Sequence, residues 1–128
     1  MPFLFPRKKE ALDIQARLVE EFGGGHGLRD ESALESALAA AENREYYEGA
    51  GLAMCAATYA YHLSQAHAFV DGNKRIAAAV SEIFLELNGA RLSATNEQIV
   101  SLFLDIAAGN LSCAQVEQFF LRWVEHGS

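Results

Sequence analysis

One histidine, one acid, one amide and two cations fall within nine consecutive residues of this chain. The stretch is HAFVDGNKR, His67 to Arg75, and the sequence on both sides of it is Ala-rich and apolar. Asp71-Gly72-Asn73 is turn chemistry, because glycine tolerates positive φ while Asp and Asn satisfy nearby backbone groups. A helix is predicted to begin near Lys74. Its first N–H groups have no partners within the helix, so they form an outward anion cradle that the helix dipole strengthens. Lys74 adds a point charge and Arg75 a bidentate fork, both suited to phosphate oxygens. Cations in a first helical turn oppose the dipole, so they fit best when an anion joins them. Asp71 beside such a cradle suits a phosphate chain carrying Mg²⁺, which favours carboxylate plus phosphate oxygens over an all-protein cage. His67 can take the proton of an attacking hydroxyl as a general base. Phe69 is expected to point into the core and fix the loop. This set meets the needs of phosphoryl or nucleotidyl transfer, whose catalysis is mostly positioning and electrostatics. Taken singly, His67 would read as a helix-end histidine, Asp71 as a turn or cap residue, and Lys74 and Arg75 as solvated charges.

The flanking sequence supplies helices to hold the stretch. Ala11, Leu12, Ile14, Leu18, Val19 and Phe22 recur at helical spacing from Arg7 to Phe22, and GGGHG at Gly23 to Gly27 stops that helix. Ser32 with Glu35 reads as a capping box opening a second helix to about Ala41, and Asn43 to Gly49 as a polar, aromatic connection. A third helix, Gly51 to Ala66, is apolar nearly all round, as is IAAAVSEIFLEL after the motif, which Asn88-Gly89 ends. Thr95 with Gln98 and Ser112 with Gln115 mark two more helix starts. Leu102, Phe103 and Ile106 give one of these its core face; Val116, Phe119, Phe120 and Trp123 serve the other. Strand-like alternation, repeats and low-complexity tracts are absent. The expectation is one all-α domain over residues 1–128, a compact bundle of about six helices with the catalytic loop between the two central ones.

Composition excludes several functions. At 128 residues, half of them hydrophobic, the chain can bury a core without staples. Its net charge of −7 disfavours a nucleic-acid surface, though not a small basic pocket. Cys55 and Cys113 form no CxxC pair and read as reduced, buried thiols of a cytoplasmic protein. MPFLFPRKK reverses the order of a secretory signal, and no run approaches the roughly 20 apolar residues of a membrane span. GGGHG follows a helix, not a strand, so it is no dinucleotide fingerprint. His62 reads as a core or surface polar residue outside the site. Tyr46 and Tyr47 are either exposed partner-binding aromatics or core anchors.

HAFVDGNKR resembles the signature of the Fic/Doc superfamily, His-x-Phe-x-Asp-x-Asn-Lys-Arg in its death-on-curing (Doc) form. All six specified residues match, with chance odds of roughly one in ten million at a given start. EEFGGGHGLRDESALESALAAAE and FLELNGARL resemble the Doc stretches after the first helix and after the catalytic helix. The resemblance implies a compact Fic/Doc-like α-helical fold and the toxin of a bacterial type II toxin–antitoxin pair. It implies His67 as base, Asp71 as Mg²⁺ ligand, and Gly72, Asn73, Lys74 and Arg75 as holders of the ATP phosphates. Typical Fic enzymes carry Gly where this chain has Lys74, and a second Arg where it has Ala78. In the family the Lys goes with ATP bound in reverse and transfer of the γ-phosphate in place of AMP.

Doc toxins of this kind phosphorylate a threonine of elongation factor Tu and stop translation, and an antitoxin segment that folds on binding neutralises them. Gly23 to Asp30 corresponds to the flap where the target segment docks, with His26, Arg29 and Asp30 as candidate contacts. The apolar run Ile76 to Ala79 departs from the Doc pattern and is expected to deprive the nucleotide pocket of a polar contact at Ala79. Three readings therefore compete: a Mg²⁺–ATP-dependent protein kinase, an adenylyltransferase, and an inactive interaction module on the same fold. A metal-dependent hydrolase is disfavoured, since no second His–Asp cluster would complete its ligands.

Overall fold

The computed structural model describes residues 3–127; Met1 and Pro2, which open the MPFLFPRKK segment, and Ser128 lie outside the described residues. The chain is an all-α domain of six helices, α1 Lys8–Phe22, α2 Glu31–Glu48, α3 Leu52–Ala66, α4 Asn73–Leu87, α5 Asn96–Ala107 and α6 Cys113–Trp123. The apolar α3 is the axis of the bundle and packs against α2, α4, α5 and α6. Cys55, Ala56, Ala57, Tyr59 and Ala60 on α3 are fully buried, and Phe84 of α4 packs against Tyr59 with its ring tilted, 5.3 Å between centroids. Small residues on α3 let its neighbours approach closely on several sides, which suits a central helix. Phe3 and Phe5 close the bottom of the core against Phe84, while Asn88 exchanges two hydrogen bonds with the backbone of Leu4.

The capping boxes at Thr95–Gln98 and Ser112–Gln115 are both formed, with side-chain and backbone bonds in each direction. The second helix differs from expectation at both ends. Its N-cap is Asp30, whose carboxylate accepts the Ala33 N–H at 3.0 Å, so Ser32 lies inside the helix and makes no cap. At the other end the helix continues through Asn43 to Glu48 and stops only where Gly49 turns left-handed at φ 64°. Arg44 holds that extension, pairing with Glu117 of α6 and donating to Thr58 of α3. Tertiary anchoring adds to the helix-favouring Glu and Arg of the ENREYYE run and carries the helix past its weaker formers Asn43, Tyr46 and Tyr47.

Tyr46 and Tyr47 stand 79% and 77% exposed on its last turn, so neither anchors the core. Cys55 is buried, as expected, but Cys113 is only half-buried; both are free thiols. Burial pushes the Cys55 thiol up to about 11. A second correction is a two-stranded antiparallel ribbon, β1 Ala90–Leu92 with β2 Val124–His126, in the register Arg91 opposite Glu125. Strands of three residues are too short to show alternation. None of the described helices is long and apolar enough to cross a membrane.

His62 is half-buried on α3 and its pKa is lowered, first by burial and then by the charge of Arg44. As pH falls below the usual histidine value, the unfolded chain binds this proton before the folded one does. Stability is therefore full above that value and declines as pH drops. Urea unfolding between about pH 7 and pH 5 should show a shallower decline in His62→Gln than in the parent.

Candidate active site

The loop between α3 and α4 is built from bonds within its own sequence. Helix α3 ends at Ala66, and His67 takes a left-handed conformation at φ 48°, ψ 40°, the one non-glycine residue with positive φ among those described. A histidine there carries a strain of about 1–3 kcal/mol, the kind that concentrates at functional sites. The turn carries its side chain out of the helix into an exposed position. Ala68 and Phe69 then dive into the core at 1% and 2% exposure. Phe69 thus anchors the loop as the sequence suggests.

The Asn73 side chain clamps Phe69 from both sides, accepting its N–H and donating to its C=O, each at 3.0 Å. Gly72 turns left-handed at φ 82° to start α4, a conformation that suits glycine. Ile76 N–H returns to Gly72 O, leaving the N–H groups of Asn73, Lys74 and Arg75 without partners among the described residues. With its amide so engaged, Asn73 can meet a ligand through its backbone N–H.

One cavity of about 690 Å³ gathers His67, Asp71, Gly72, Asn73, Lys74 and Arg75 on one wall. Ile99, Val100, Phe103, Leu104 and Ala107 of α5 line the same cavity, an apolar wall of which the sequence predicts only Phe103, as a core residue. Neither Lys74 nor Arg75 pairs with a carboxylate among the described residues. Arg75 instead lies over the Phe22 ring, 4.1 Å from guanidinium carbon to centroid, and Phe22, which shares the apolar spacing of α1, is 53% exposed and outside the core. Ala78 lines the cavity one turn after Lys74, whereas Ala79 lies off its wall. The polar contact expected to be missing at Ala79 therefore lies outside this cavity. Ser64, 2% exposed, sits in the wall with its hydroxyl lacking a partner among the described residues.

The glycine segment runs antiparallel beside this loop. Arg29 and Asp30 N–H both donate to Ala68 O, Val70 N–H donates to Gly27 O at 3.1 Å, and Leu28 stands opposite Phe69. Asp71 reaches across to accept the Gly25 N–H on its carboxylate at 2.9 Å. This approach requires glycine. A Cβ on Gly25 would stand 2.7 Å from the Val70 side chain, and one on Gly24 would stand 3.0 Å from the Asp71 carboxylate. His26 and Arg29 are exposed on this segment and outside the cavity wall, while Asp30 carries the α2 cap.

A model of the Fic/DOC family matches residues 5–85, from the segment before α1 to near the end of α4. That span is more than half of the chain and contains the whole loop. The chain belongs to the Fic/DOC family. The family is known for transferase activity, the movement of AMP or phosphate. No curated protein matches the chain at a significant level. Helix α5, which supplies the apolar cavity wall, lies beyond the family match.

Proposed function

We propose that this Fic/DOC protein is a Doc-type kinase that transfers the γ-phosphate of Mg²⁺–ATP to a Ser or Thr hydroxyl of a protein. Elongation factor Tu is the target that the resemblance points to, and the role is that of a toxin held in check by an antitoxin. The observation that carries this reading is the common cavity: an imidazole, a carboxylate, a helix start with open N–H groups and two cations that pair with no carboxylate among the described residues line the same space. Its volume suits a nucleotide-sized ligand.

The donor set fits Mg²⁺–ATP. Among the described residues no three His, Cys, Asp or Glu side chains converge, so a metal at Asp71 would have no all-protein cage and would draw most of its oxygens from phosphate and water. Bound there, the ion neutralises charge on the transferring phosphoryl group. Lys74 and the open N–H groups of α4 hold the phosphates, and Arg75, steadied on Phe22, presents its fork beside them. The apolar α5 wall gives the nucleoside a surface from which water is excluded. His67 accepts the proton of the attacking hydroxyl. Lys74 and the absence of an Arg at Ala78 favour phosphate over AMP as the transferred group.

The test is incubation with Mg²⁺, elongation factor Tu and ATP labelled at either the γ or the α phosphate. Label from the γ position alone supports the kinase; label from the α position means AMP transfer; no label from either removes the enzymatic reading for this target. Lys74→Ala removes a charge-assisted contact to phosphate and should cut transfer by roughly 10- to 100-fold, read as initial rates of γ-label incorporation.

A further inference from the structure

Gln15 is a polar side chain in the middle of an apolar stripe. It lies between Ala11 and Val19 on the inward face of α1 and is 3% exposed. An amide buried this far is unfavourable unless it is bonded, and a Leu or Met would pack there without that cost. Its bonds all go to the two segments of the site. Nε2 donates to Gly25 O at 3.1 Å and, more distantly, to Asp71 O at 3.5 Å, while Oε1 accepts the Gly27 N–H at 3.3 Å. The glycine segment is otherwise joined to the catalytic loop by the Asp71 carboxylate and by backbone bonds at Ala68 and Val70.

We propose that Gln15 is a positioning residue: it ties the glycine segment to the Asp71 backbone, so that the segment receiving the protein acceptor and the carboxylate of the phosphate site keep one register. The placement of the acceptor along Gly23 to Asp30 rests on the function proposed above; the clamp itself rests on the hydrogen bonds alone. Without the amide, the segment loses its bonds at Gly25 O and Gly27 N–H and keeps those to the Asp71 carboxylate, Val70 and Ala68. Its tip, Gly24 to Gly27, then samples open positions, because glycine offers no side-chain packing to stop it. The acceptor loses a defined edge, while Lys74, Arg75 and the start of α4, which share no hydrogen bond with the Gln15 side chain, keep their geometry.

The experiment is amide hydrogen exchange on the full chain, parent against Gln15→Met, with Gln15→Glu as a second variant. Met fills the same volume without hydrogen bonds. Glu keeps the acceptor for Gly27 N–H and loses both donors. In Gln15→Met the Gly27 amide, which loses its Oε1 acceptor, should exchange about tenfold faster, with α3 and α5 unchanged. In Gln15→Glu, which keeps that acceptor, the Gly27 amide should stay near the parent. Unchanged exchange at Gly27 in a Gln15→Met variant that retains α3 and α5 protection overturns the clamp. So does a rise spread evenly over all helices in both variants, which would make Gln15 a packing residue only.

Where the parent transfers phosphate, Gln15→Met should raise KM for the protein acceptor about tenfold and leave the affinity for Mg²⁺–ATP within about threefold. A fall in kcat with KM unchanged contradicts acceptor positioning. A parent that transfers nothing defeats the proposed function and leaves the exchange result to judge the clamp.

Discussion

Replacing His67 should slow phosphate transfer by about 10²–10⁴-fold while binding of Mg²⁺–ATP persists. The choice of variant matters because His67 sits in a left-handed backbone conformation. Alanine there would combine loss of the imidazole with backbone strain, and the two effects would be confounded. Asn tolerates the left-handed region and cannot serve as a base at neutral pH, so His67→Asn isolates the chemical role. The rest of the cavity does not depend on His67: Asn73 clamps Phe69, Gly72 starts α4, and Arg75 rests on Phe22. Calorimetric titration with Mg²⁺–ATP should therefore give the parent's affinity, and single-turnover transfer should give the large deficit. Transfer within threefold of the parent would remove His67 from the chemistry.

The parts of this site that are visible in the sequence are those whose geometry is local. HAFVDGNKR folds as a turn and a helix start because Gly72, Asn73 and the open N–H groups lie within five residues of one another. Thr95–Gln98 and Ser112–Gln115 are equally local, since a capping box is closed by side chains three residues apart. The failures come from longer reach. At α2 the Ser32–Glu35 pattern competes with Asp30, and the pattern alone does not rank them. The extension to Glu48 depends on Arg44 meeting Glu117, which lies 73 residues away in sequence. The three-residue ribbon forms because the chain ends of two helices meet. Gln15 left a trace that pattern reading passes over: one amide on a buried stripe of Ala11, Ile14 and Val19. Such a residue needs partners, yet only the fold says that those are Gly25, Gly27 and Asp71. The α5 wall is similar, because Phe103 reads as core whether its neighbours are side chains or a ligand.

Phe69→Ala should cost about 3–5 kcal/mol of folding stability, the largest loss expected from a change within the motif. Phe69 is 2% exposed and is among the largest fully enclosed side chains, so removing the ring leaves a void that the small residues around α3 cannot readily fill. Against a typical total of 5–15 kcal/mol, such a loss brings the chain near the edge of folding at body temperature. Thermal unfolding should shift down on the order of 10–20 °C for a domain of this size. The effect should also reach the site, because Phe69 joins the loop to the core by three routes. Its ring anchors the turn, its backbone N–H and C=O hold the Asn73 amide, and Leu28 of the glycine segment lies opposite it.

Phe69→Leu separates these roles. Leu restores most of the apolar volume and keeps every backbone bond, so stability should largely recover. If the ring only fills the core, Mg²⁺–ATP affinity measured well below the unfolding transition should equal the parent's in both variants. If it also sets the angle at which His67 and Asp71 leave the core, the Ala variant should bind more weakly while still folded and the Leu variant should fall between. The second pattern is expected, because His67 and Asp71, exposed two residues to either side of Phe69, sit on a turn whose chief apolar anchor is this ring and whose Asn73 clamp bonds the Phe69 backbone.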